Sequence, residues 1–152
     1  MTKVNLDKLQ AKSNGNIESV LVANGLLNGS LVALGTPVAG ERELMNAVAP
    51  AKDKELLLVA VPEVKADESL DQLDIFIQSG EAARAYHLTV GDKFQVERSM
   101  FTAAPVVGAV VTGNADYGYS VNVDSRTTFV VEALTKFDYD QRDMALLRVL
   151  TV

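Results

Sequence analysis

Residues able to do chemistry are few in this chain, and they are poorly grouped. His87 is the single histidine and there is no cysteine. Set in a predicted strand between Tyr86 and Leu88, His87 supports no histidine pair, catalytic triad or three-histidine metal site. The acidic set Glu63, Asp67, Glu68, Asp71 and Asp74 lacks the alternating oxygen ligands and central glycine of a calcium loop. Helix capping and solvation account for it better. Gly25, Gly29 and Gly35 are followed by neither a helix nor Gly-Lys-Ser/Thr, so they read as turn glycines rather than a phosphate cradle. Tyr117 and Tyr119 flank Gly118 and would share one face of a strand. That arrangement suits a stacking or sugar platform, although half-buried structural tyrosines give the same pattern. Glu132 and Arg148 read as surface or cross-strand charges. No catalytic, metal or cofactor residue is expected, and the chain reads as a non-enzyme.

The elements around these residues are mostly strands. The run Glu55-Leu56-Leu57-Leu58-Val59-Ala60-Val61 lies between Pro50 and Pro62. It is too short for a helix, and it reads as a central strand buried on both faces. Upstream, Ile17–Val22 and Ser30–Gly35 are strands separated by Asn24-Gly25 and Asn28-Gly29, pairs that tolerate positive φ and so reverse the chain. Downstream, Lys93–Glu97 alternates with Phe94 and Val96 on one face. Val106–Val111 is a further apolar run broken by Gly108, and Tyr117–Val121 returns from a loop. Thr127–Phe137 alternates through Phe129, Val131, Ala133 and Phe137, turns through Asp138-Tyr139-Asp140, and pairs with Met144–Leu150 as a hairpin. Ser69 with Gln72 fits a capping box, and Leu70, Leu73, Phe76 and Ile77 recur at helical spacing, which predicts one short helix ending near Gly80. The expected fold is mainly β: a compact β-barrel or β-sandwich with one short helix and an extended N-terminal arm. Leu57, Val59, Phe129, Val131 and Leu147 are its predicted core.

Residues 1–16 are the arm and residues 17–152 a single β-rich domain. The arm carries Lys3, Lys8 and Lys12 against Asp7, opposite in sign to a chain whose net charge is −6. It reads either as a frayed terminus or as a binding arm. In the second reading Val4, Leu6 and Leu9 supply apolar contacts, and Lys3, Lys8 and Lys12 face acidic groups on the partner. With 152 residues the chain is long enough to bury a core without staples. Its acidity argues against nucleic acid, which needs clustered Lys and Arg. No apolar run approaches a membrane span or a signal-peptide core, so a soluble protein made in a cytoplasm is expected.

Two segments carry a family resemblance. They are Pro50–Ala60 with Pro62-Glu63-Val64 after it, and Ala83-Arg84-Ala85-Tyr86-His87-Leu88-Thr89-Val90-Gly91-Asp92-Lys93-Phe94. In these the chain resembles small structural proteins of tailed bacteriophages that decorate, or cement, the capsid. The resemblance implies a virion protein on the capsid exterior, synthesised in the host cytoplasm, which binds the major capsid protein and stabilises the head, often as a trimer. An apolar content of 48% agrees with self-association. The resemblance supplies no contact motif. The competing readings are another virion component, such as a head fibre base or tail-tube subunit, and a carbohydrate-binding β module using Tyr117 and Tyr119.

Overall fold

A computed structural model describes residues 4–11, 15–61, 76–121, 125–136 and 141–152. Among the described residues there are eleven strands: β1 Val4–Lys8, β2 Ile17–Leu21, β3 Leu31–Pro37, β4 Leu44–Val48, β5 Leu57–Val59, β6 Ala82–Tyr86, β7 Lys93–Glu97, β8 Val110–Gly113, β9 Tyr119–Ser120, β10 Thr128–Lys136 and β11 Asp143–Thr151. The fold is mainly β, as the alternation predicts. It has two sheets. One is open and six-stranded in the order β1-β7-β11-β10-β8-β9, and the other is a closed barrel in the order β2-β4-β3-β5-β6.

The apolar run at 55–61 explains how the two sheets join. Leu56, Leu58 and Ala60 pack into a core shared with Phe94, Val96, Phe129, Val131 and Leu147 of the open sheet. Leu57 and Val59 point the other way, into the barrel interior with Val20, Val32, Ala47 and Ala85. Neighbouring β3 divides likewise, with Leu31 and Ala33 toward the sheet and Val32 toward the barrel. The wall β3-β5-β6 therefore separates two cores. Successive strand residues face opposite sides, so burial on both sides demands an unbroken apolar run rather than alternation.

Polar stitches cross between the sheets. The Leu56 amide donates to Thr127 Oγ1 at 2.9 Å and the Leu31 amide donates to the Tyr117 carbonyl at 2.8 Å, while Thr112 Oγ1, on the open sheet's own β8, fixes Thr127 by donating to its carbonyl at 2.8 Å. The aromatic centre of the shared core is Phe94, Phe129, Tyr119 and Phe101. Phe94 and Phe129 meet edge to face at 5.5 Å, and Phe101 stacks on Tyr119 at 5.0 Å.

Three departures from the sequence expectations have local causes. Residues 62–75, which hold most of the predicted helix, and residues 137–140, with the turn Asp138-Tyr139-Asp140, lie outside the described residues. The last part of the predicted helix is extended: Ile77 is buried and exchanges two backbone hydrogen bonds of 2.8 Å with Leu26, while Gly80 turns at φ +84° into β6. Leu44–Val48, read only as a lead into Pro50, is β4, parallel to β2 and antiparallel to β3. Finally, the alternation through Phe129, Val131 and Ala133 is broken by a bulge at Glu132. Val131 pairs with Leu147, and the next partner of β11 is Ala133, opposite Leu146. One extra residue flips the facing, so Ala133 leaves the core face.

The N-terminal segment is extended but not detached. β1 pairs with β7 through Val4↔Val96 and Asn5↔Gln95, Val4 and Leu6 lie against the shared core, and Leu9 and Ala11 are only 3% and 2% exposed. The chain is pinned there by Asp92, whose Oδ1 accepts from the Gln10 amide at 3.3 Å and Oδ2 from the Thr89 amide at 2.9 Å.

Candidate partner-binding surface

The residues with chemical potential are occupied by the fold. His87 follows β6 and lies between two carboxylates: Nε2 is 3.2 Å from Glu18 Oε1 on β2, and Nδ1 is 3.2 Å from Glu55 Oε1 ahead of β5. Both ring nitrogens are engaged in tying three parts of the barrel together. Tyr119 is fully buried, and burial pushes its phenol well above the usual range. It stays a neutral donor, 2.8 Å from the Gly29 carbonyl oxygen. Tyr117 packs against the barrel core at φ +64°. The two rings therefore do not form the sugar platform that their spacing suggested, because one is sealed inside. The acidic set Glu63, Asp67, Glu68, Asp71 and Asp74 lies outside the described residues. Among the described residues no group of three or more His, Asp or Glu could hold a metal ion.

The predicted arm contacts are not brought together as a free surface. Lys3 and Lys12 lie outside the described residues. Lys8 is exposed, whereas Val4, Leu6 and Leu9 are spent on the protein's own core. The outer edge of β1 is also a poor template for a partner strand. Its register shifts between Asn5 and Lys8, and the Asp7 amide is already satisfied by Asn5 Oδ1 at 3.0 Å. Irregular, lysine-bearing edges of this kind resist strand addition.

The opposite end of the open sheet is different. Val106, Val107, Val110 and Val121 are 66%, 56%, 51% and 63% exposed, four of the ten exposed large apolar side chains among the described residues. A groove runs here between the segment 101–106 and strands β8 and β9, lined by Phe101, Ala104, Pro105, Val106, Val111 and Val121. Scattered surface valines mean little, but Val106 and Val121 line this apolar groove, and exposed apolar side chains beside such a groove mark an interaction surface.

Local chemistry makes this end stiff. The short 3-10 turn Arg98–Met100 is held by Arg98, whose Nε donates to the Met144 carbonyl at 3.0 Å and Nη2 to that of Thr135 at 3.2 Å. Asn114 Oδ1 accepts from the Asp116 and Gly118 amides at 2.9 and 3.0 Å, and its Nδ2 donates to Thr102 Oγ1 at 2.8 Å. A Cβ on Gly118 would overlap the Met100 carbonyl, so the two loops interlock. The Thr102 amide completes the join by donating to the Tyr119 carbonyl at 3.0 Å.

In sequence Val106–Val111 reads as an apolar run broken by Gly108, which does not disclose the groove beside it. Gly108, at φ +87°, turns the chain there; its amide and the Ala109 carbonyl both bond to Val131, and the regular strand begins at Val110. The positive-φ glycine was the available signal. Comparison of the chain with protein-family models, curated proteins and solved structures gives no match. What this surface does is therefore read from its own geometry. No helix among the described residues is long and apolar enough to cross a membrane.

Proposed function

We propose that the protein is a non-catalytic structural component of a tailed-bacteriophage head, a decoration protein that seats on the outside of the capsid and stabilises it as a trimer. The observation that carries this reading is the stiff, apolar end formed by Val106, Val107, Val110 and Val121 beside the 101–106 groove. Its occupant is a surface segment of the major capsid protein. Such a surface needs shape and apolar area rather than a reactive group, and loops already tied by hydrogen bonds in the free protein lose little backbone entropy on docking. The capsid identity rests on the resemblance. The two segments that carry it are hydrogen-bonded neighbours in the barrel, Leu58 opposite Tyr86 and Val59 opposite Ala85.

The test is co-sedimentation with empty capsids. The wild-type protein pellets with heads, and Val106→Asp with Val121→Asp stays in the supernatant while keeping its melting temperature. Wild-type protein that pellets with tails but not heads would assign it to another virion component, and protein that pellets with neither removes the virion reading. Light scattering of the free protein and cryo-EM of decorated heads test the trimer, and copies that make no mutual contact on the shell would exclude it.

A further inference from the structure

The sequence Asn-Gly occurs at 14–15, 24–25 and 28–29. Asn14 lies outside the described residues, and the other two pairs sit four positions apart in opposite surroundings. Asn24 and Gly25 are exposed in the bend that follows β2, and neither the Asn24 carboxamide nor the Gly25 amide makes a hydrogen bond among the described residues. Asn28 is 2% exposed. Its Nδ2 donates to the Val61 carbonyl at 3.1 Å and its Oδ1 accepts from the Val61 amide at 2.9 Å. The Gly29 amide is also engaged, donating to the Val59 carbonyl at 2.8 Å.

From this contrast we propose that Asn24 is a site of spontaneous deamidation in the folded protein, and that Asn28, with the same sequence neighbour, is protected by the fold. The reaction needs only water. The deprotonated Gly25 amide nitrogen attacks Cγ of Asn24, a C–N bond closes the five-membered succinimide, and the carboxamide C–N bond breaks to release ammonia. One water then opens the ring at either carbonyl, leaving aspartate or isoaspartate. Glycine favours the step because no side chain crowds its nitrogen and its backbone can reach the ring-closing geometry. At Asn28 the carboxamide is clamped on both polar atoms and the attacking nitrogen is already a donor. Its reaction must wait for the barrel to open locally.

The site is bounded by fixed points. Ser79 Oγ donates to the Ala23 carbonyl at 2.6 Å, and Leu26 is paired with Ile77. The new carboxylate, and the extra backbone methylene of isoaspartate, are therefore confined between the barrel anchors at 23 and 26. The product is a barrel with one added negative charge on a chain of net charge −6.

The test is ageing of the full-length protein at mildly alkaline pH, followed by peptide mapping with fragmentation that distinguishes isoaspartate. In the folded protein Asn24 should convert more than about tenfold faster than Asn28, and in denaturant the two rates should converge. Gly25→Ala should slow conversion at 24 without unfolding the chain, since Gly25 is not in the left-handed region and an added Cβ meets only the Ile77 carbonyl oxygen at 3.5 Å. Equal rates at 24 and 28 in the folded protein would overturn the proposal, as would an Asn24 that stays intact in the folded state while converting in denaturant.

Discussion

The phenolic hydroxyl of Tyr119, on the last strand of the open sheet, donates across the molecular centre to the carbonyl oxygen of Gly29 at 2.8 Å, in the turn that feeds the barrel. Donor and acceptor are 90 residues apart in sequence and sealed from water. Tyr119→Phe keeps the ring packing against Phe101 and Phe94 but strands a buried carbonyl. It should cost about 1–3 kcal/mol, read as a lowered denaturant midpoint with an unchanged slope. An unshifted midpoint would mean that water takes over the bond.

Leu57 and Leu58 are adjacent in sequence and point into different cores. Each truncation to alanine should cost about 2–5 kcal/mol. On a strand with one wet face only one of the two would be expensive, so a loss below about 1 kcal/mol at either position would contradict the two-sided burial.

The N-terminal segment should be needed for stability. Leu9→Ala empties a place in the shared core and should lower stability by about 2–4 kcal/mol. Deleting residues 1–16 should cost more, because β7 also loses its edge partner and Asp92 its Gln10 donor. A deletion that melts within a few degrees of the full chain would show that β1 contributes little.

Glu132 accepts from Lys93 at 2.9 Å and faces Arg148 at 3.1 Å on the outer surface of the open sheet. The Lys93 hydrogen bond first, with the charges of Lys93, Arg148 and Lys8, holds its carboxyl below the usual glutamate range. A carboxyl depressed in the folded state stabilises the fold above its unfolded pKa of about 4.3, and that contribution fades as pH falls through the folded value. Glu132→Gln should therefore lower the urea midpoint at neutral pH, modestly because the site is partly exposed, and the difference should vanish in acid. A difference that persists unchanged in acid would assign the loss to packing instead.

The sequence made some of this fold legible and hid the rest for physical reasons. Leu56–Ala60 announced itself because two-sided burial leaves no room for a polar residue. Phe94 and Val96 did so because one face of β7 is wet. The parallel pairing of β2 with β4, which helps close the barrel, has no local signature, since its partners meet only after the chain has folded. The bulge at Glu132 is equally silent, because a register shift belongs to a pair of strands rather than to either one. Leu9 and Ala11 looked like part of a polar lead until β1 brought them against the shared core. For the candidate surface, the four valines were visible as apolar residues. The turn at Gly108, φ +87°, keeps Val106 and Val107 out of the strand, and that backbone angle is not written in the apolar run itself.

The wall β3-β5-β6 limits how this molecule can diverge. A side chain there has its shape set by the core on its own side, and its backbone is held in place by the core on the other. A change that suits one compartment must leave the other undisturbed, so acceptable variants at 56–60 are few and are best found in compensating pairs. New specificity is more easily gained at positions with water on one side, such as the loops at 38–43 and 101–108. A lineage carrying this fold should hold its party wall nearly fixed while its rims drift.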